Sequence, residues 1–132
     1  MTAPASSFAS TMTTNAGPGA LIDRVLDLDP SVRYVAVGHG QQVTMRQRHD
    51  LADASSSDSD RYEELLVNPV ILLAAGQRGD IDCGGTQYVV IRYGHFFQVV
   101  VPRPGGGHLS VAVELDGDPR GVAESVQALL AR

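Results

Sequence analysis

The sequence predicts a single α+β domain: a five-stranded antiparallel sheet with helices on both faces, in the order α-β-β-α-β-β-β-α. Three observations carry that expectation. Stretches of helical apolar spacing alternate with runs of β-branched and aromatic residues along 20–132. Successive strands are joined by short glycine-bearing turns, with one long crossover between the second and third. Strands 87–93 and 96–101 are apolar on both faces, which calls for cover on both sides.

The first helix is read from Leu21, Ile22, Val25, Leu26 and Leu28, with Asp23, Arg24 and Asp27 between them. Asp29 stops it, because a residue before proline avoids the helical region. VRYVAV (32–37) reads as a strand, and Gly38, His39 and Gly40 turn it into a second, 41–48, with Val43 and Met45 on one face. HDLADASSSDSD (49–60) has loop composition. A helix then starts near Asp60, with Tyr62, Leu65 and Leu66 on one side. Glu63 and Glu64 sit in its first turns, where the positive end of the helix dipole favours acids. Asn68-Pro69 reads as a cap followed by proline that restarts the helix at an angle. Val70, Ile71, Leu72, Leu73, Ala74 and Ala75 continue it until Gly76 and Gly79.

Gly94-His95 between the third and fourth strands suits a II′ hairpin, since glycine accepts positive φ. PRPGGG (102–107) makes a looser turn into 108–115, where Leu109, Val111, Val113 and Leu115 alternate with polar or small residues. Asp118-Pro119 opens a last helix through Val122, Val126, Leu129 and Leu130.

Composition bounds the function. A length of 132 residues suits one domain, and 43% apolar residues suffice for a core. No apolar run approaches the roughly 18–20 residues of a membrane-spanning helix. Residues 1–19, mostly Ser, Thr, Ala, Gly and Pro, are expected to form a disordered tail, or one that folds on a partner. They lack the basic and apolar regions of a signal peptide, and with the free thiol of Cys83 this implies a cytoplasmic location. A net charge of −5 argues against general nucleic-acid binding. All ten basic residues are Arg, so Schiff-base and phosphate-loop lysines are excluded.

The opening helix LIDRVLDLDP, the pair VRYVAVGHG and QQVTMRQR, and the run YVVIRYGHFFQVVV together resemble the Roadblock/dynein light chain family in element order, spacing and hydrophobic pattern over about residues 20–131. That resemblance implies a profilin-like or longin-like sheet and homodimers or heterodimers joined through the edge strand after the middle helix. It also implies regulatory or scaffolding work beside small GTPases or motor complexes, without catalytic residues. The long 49–60 connection and the Asn68-Pro69 break depart from that pattern. Strand 87–93 supports a dimer independently: as an edge it is long, holds no proline and carries one charge, Arg92, so it invites pairing unless a helix or the tail covers it. The expected interface residues are Tyr88, Val90 and Arg92 on that strand and Leu65, Leu66, Leu72 and Leu73 on the middle helix.

Candidate chemistry is sparse. His39, His95 and His108 fall at predicted turns and His49 in the acidic loop; none has the i, i+4 spacing of a helical metal motif, so they read as solvated residues with no metal. Cys83, in the DIDCGG turn, is a candidate nucleophile of low rank. Asp80 and Asp82 beside it oppose a thiolate, and a small half-buried cysteine is the plainer reading. Gly105, Gly106 and Gly107 join two strands rather than a strand and a helix, so they do not cradle phosphate. Asp50, Asp53, Asp58 and Asp60 lack the glycine and closing glutamate of a calcium loop, and serines 55–59 could be phosphorylated on composition alone. Tyr62, Tyr88, Tyr93, Phe96 and Phe97 read as core packing. The leading expectation is a non-enzymatic dimeric regulatory module that binds a protein such as a small GTPase and needs no cofactor. The rivals are a small-molecule sensor with a pocket between helix and sheet, and a small enzyme using Cys83 with a histidine.

Overall fold

The structure, a computed structural model, describes residues 17–48 and 57–132. Helix α1 (Gly17–Leu26) leads into strands β1 (Val32–His39) and β2 (Gln42–Gln47). The middle helix has three parts: α2 (Ser57–Tyr62), a π-helical turn (Glu63–Val67) and α3 (Asn68–Asp82). Strands β3 (Val89–Arg92), β4 (Phe97–Pro102) and β5 (His108–Val113) follow, and α4 (Pro119–Leu130) closes the chain. All five strands join one antiparallel sheet in the order β2-β1-β5-β4-β3. The crossover through the middle helix carries the chain from one edge, β2, to the other, β3.

Alternation along the strands sorts the sheet into two unlike faces. Across one face run Arg46, Val35, Val111, Val99 and Val90 in register, followed by Thr44, Val37, Leu109 and Val101. Helices α1 and α4 cover its centre: Ile22, Val25, Val122, Ala123 and Val126 are buried in one cluster with the central valines. Each fully buried Val or Ile contributes roughly 1.5–3 kcal/mol. Across the opposite face run Gln47, Tyr34, Ala112, Gln98 and Ile91, then Met45, Ala36, Ser110, Val100 and Val89, then Val43, Gly38, His108 and Pro102. This second face is small and polar, and the middle helix lies over it.

Several expectations are corrected. α1 begins at Gly17, inside the stretch expected as tail; residues 1–16, and 49–56 with His49, lie outside the described residues. α2 starts at Ser57, ahead of Asp60. Asn68-Pro69 does not break the helix. Residues Tyr62, Val67 and Asn68 all hold right-handed helical angles, and the Asn68 N–H donates to Glu63 O, five residues back. The wide turn sets a proline, which has no N–H to give, just where the regular ladder restarts. Nor do Gly76 and Gly79 end the helix. Gly79 lets the following chain pass close, since a Cβ there would lie 3.2 Å from Gly85 C and Thr86 N. Termination falls to Gly84 and Gly85, both at positive φ, with the Cys83 and Gly85 N–H groups donating to Gly79 O.

Gly94 lacks positive φ, so the β3–β4 loop is not a II′ turn; Tyr93 N–H donates to Phe96 O instead. β5 is buried at all six positions, so its polar and small residues do not face solvent. β3 spans Val89–Arg92, shorter than the 87–93 expected, and pairs with β4 alone. The expectation that β3 is an edge strand therefore holds.

The β4–β5 turn uses glycine for two different reasons. Gly105 and Gly107 both hold positive φ, but only at Gly107 would a Cβ strike backbone, 2.3 Å from Gly38 O. Gly105→Ala is expected to lower stability by about 1 kcal/mol, the cost of a left-handed L-residue. Gly107→Ala should lower it by about 3 kcal/mol, because the clash adds to that cost. Urea unfolding midpoints of the two variants check the ordering.

Candidate functional site

The middle helix presents two chemically opposite faces, and both follow from residue spacing. Inward, Glu64 and Asn68 are four residues apart and both have no exposed surface. The Glu64 carboxylate gathers four partners. Its Oε2 accepts from Tyr34 Oη at 2.9 Å and Ser110 Oγ at 2.6 Å. Its Oε1 accepts from Asn68 Nδ2 at 3.0 Å and lies 2.7 Å from His108 Nε2. An acceptor there assigns the imidazole proton to Nε2. Gly38 makes room for the ring: a Cβ at Gly38 would sit 2.6 Å from His108 Cε1. Burial first, and the Glu64 carboxylate second, push the Tyr34 phenol well above its ordinary range, so it stays a donor.

His108 is thus not the solvated turn residue the spacing suggested. It is 4% exposed and belongs to the lock between helix and sheet. His39 and His95 are exposed, as expected of turns. Among the described residues no three His, Cys, Asp or Glu side chains are grouped to hold a metal ion. Cys83 is exposed rather than half-buried. Its thiol donates to Asp82 Oδ1 at 3.3 Å, and the Asp82 carboxyl is held below its ordinary range by Arg78 first and Cys83 second. No histidine hydrogen-bonds to Cys83 among the described residues.

Outward, the same helix exposes Tyr62, Leu65, Leu66, Val70, Leu73 and Ile81, with Leu73 at 62% and Ile81 at 75%. Leu72 is half-buried and lines a shallow groove with Leu65, Leu73 and the glycine turn at 106–107. The expected interface residues divide between the two sides of the sheet. Tyr88 packs against the α1/α4 core, and Val90 and Arg92 share that face, where the Arg92 guanidinium lies 5.9 Å from the Phe97 ring centre. Leu65, Leu66, Leu72 and Leu73 belong to the helix over the other face, where Leu65, Leu72 and Leu73 lie toward the β1–β2 and β4–β5 turns.

Beneath the first turns of the middle helix is a cavity of about 410 Å³. Its floor is the first row of the polar face, Gln47, Tyr34, Ala112 and Gln98, and its walls include Asp60, Glu63 and the loop through Tyr93, His95 and Phe96. Glu63 accepts from Tyr93 Oη at 3.1 Å. Burial raises the Asp60 and Glu63 carboxyls above their ordinary values, outweighing the bonds from Gln47 and Tyr93 respectively. Burial, with Glu63 second, pushes the Tyr93 phenol up to about 12. The sequence treats Glu63 and Glu64 alike, as dipole-favoured surface acids; a polar pair at i, i+4 in an apolar helix, facing a strand that alternates His, Ser and Ala, is the signal that could have separated them.

No protein-family model matches the sequence, and no curated protein matches it. Solved structures do. The crystal structure of a Roadblock/LC7 domain from Streptomyces avermitilis superposes with a TM-score of 0.67 at 14% identity, over 85% of this chain and 90% of that one. The fold is Roadblock-like. The gliding protein MglB from Thermus thermophilus shares this Roadblock-like fold at a TM-score of 0.64 and 12% identity, over 86% and 85% of the two chains. MglB in a tetrameric arrangement is similar at 0.66 and 13%, over 86% and 82%.

Two outcomes test the roles of these neighbouring carboxylates. Glu64→Ala strips four partners of their acceptor and should lower stability by about 3–5 kcal/mol, against about 1.5–3 kcal/mol for Tyr34→Phe, by denaturant titration. Glu63, whose carboxyl is raised by burial, contributes stability present below its unfolded pKa and lost as pH rises through the folded one. Glu63→Gln should therefore raise the melting temperature at pH 7 and lose that advantage at pH 4.

Proposed function

We propose that this protein is a non-enzymatic, dimeric regulatory or scaffold module. Two copies pair through β3 and bring their middle helices together across the two-fold axis, and the resulting surface binds a protein, with a small GTPase as the leading candidate. The observation that carries the reading is the open rim at β3, which has a mate on one side only; the middle helix adds an exposed apolar outer face. An edge strand without lysine or proline is open to pairing, and the exposed apolar stripe of the middle helix offers the burial that four residues of backbone pairing lack. The MglB structure described as a tetrameric arrangement supports oligomerisation as a habit of this fold. The GTPase partner rests on the Roadblock resemblance.

In analytical ultracentrifugation the purified chain is expected to be a dimer at micromolar concentration. Leu73→Arg and Val90→Arg, both at exposed positions, should weaken the dimer by at least about 30-fold while leaving the circular dichroism spectrum unchanged. A wild-type monomer, or variants that dimerise as well as wild type, would refute the assembly. Calorimetric titration with a small GTPase loaded with GDP or a GTP analogue then tests the partner: binding that prefers one nucleotide state is expected, and heat changes equal to buffer with both would remove the GTPase from the proposal.

A further inference from the structure

The cavity under the first turns of the middle helix is independent of the dimer rim and holds an unmet hydrogen-bonding demand. Gln98 is 2% exposed, lines the cavity, and its Nε2 has no partner among the described residues. A buried donor left unpaired costs about 1–3 kcal/mol, so an acceptor in the cavity would be taken up favourably. The space exists because Ala112, between Tyr34 and Gln98 on the floor, is too small to fill it. At about 410 Å³ the cavity is far larger than one water, whose share of liquid volume is roughly 30 Å³, and falls within the range of small-ligand sites.

The walls narrow the chemistry. Asp60 and Glu63 are acceptors when ionised and repel an anion. The guanidinium of Arg33, 5.5 Å from the Phe96 ring centre, lies at the same cavity and disfavours a cation. Tyr93 and Phe96 have ring centres 5.4 Å apart and offer an aromatic side to a flat molecule. A neutral planar ligand that carries both a carbonyl acceptor and N–H donors satisfies all of these groups. We propose that this cavity binds an uncharged heteroaromatic amide or lactam, of carboxamide or nucleobase size. Its carbonyl accepts from Gln98 Nε2 on the floor, and its N–H groups donate to the carboxylates of Asp60 and Glu63 on the wall.

The test uses the full chain, nitrogen-15 labelled, titrated with nicotinamide and with guanosine, and with nicotinate as the isosteric control that replaces the amide by a charged carboxylate. Saturable shifts of the Gln98, Ala112 and Gly94 amides with both amide probes, and none with nicotinate, are expected. Gln98→Leu should weaken nicotinamide binding about 5- to 10-fold. Ala112→Leu, which fills the floor, should abolish it; if that variant does not fold, Gln98→Leu decides alone. Three results overturn the site: absence of saturable shifts with both amide probes, equal binding of nicotinate, or unchanged affinity in Gln98→Leu. Because the cavity lies within one protomer, its failure leaves the dimer untouched, and a monomeric wild type leaves the cavity testable.

Discussion

Taking a carboxylate fully out of water costs several kcal/mol unless donors replace its hydration shell. Glu64 is in that position, and the four groups that answer it come from three separate parts of the fold: Tyr34 on β1, His108 and Ser110 on β5, and Asn68 one helical turn along. Those bonds fix the middle helix in rotation and in height above the sheet. An apolar contact would tolerate sliding by a turn; a carboxylate with four directed partners does not. The inward placement of Glu64 obliges Leu65 and Leu66, which follow it, to point elsewhere. The exposed apolar stripe and the polar lock are one arrangement seen from two sides.

The π-helical turn serves the same constraint. It contains Glu64 and leads into Asn68-Pro69, where a regular helix would need an N–H that proline does not have. Widening the helix there keeps it continuous while Glu64 reaches the sheet and Asn68 reaches Glu64. The two sheet faces are accordingly specialised. The one under α1 and α4 is packed with Val, Ile and Leu, and the one under the middle helix is small and polar, with a cavity where Ala112 leaves the floor low.

Much of the architecture was legible in the sequence because it depends on period and punctuation. Five strands, three helical regions, the edge position of β3 and the Asp118 cap, which accepts from Gly121 N–H, all follow from alternation, proline and glycine. The errors share a cause. Asn68-Pro69, Gly76 and Gly79 were read by local propensity, and tertiary contacts overrode each: the π turn absorbed the proline, and Gly79 serves close packing against Gly85–Thr86. Residue type and local position make His108 a solvated turn residue and Glu64 an acid favoured by the helix dipole, and neither singles out Ser110. Only pairing across 44 and 46 positions of sequence accounts for their burial, and no single-residue rule carries that information. The interface residues were expected as one group, whereas strand pleating sets Tyr88, Val90 and Arg92 on the opposite side of the sheet from the helix leucines.

β3 is only four residues long. A ribbon of that length donates and accepts a handful of backbone bonds, and any other short edge of like length could satisfy them. In the proposed assembly, selectivity between mates would have to be written elsewhere, in side chains such as those the middle helix displays. Exchange of one subunit for a cousin would then be limited by those side chains and scarcely at all by the strand.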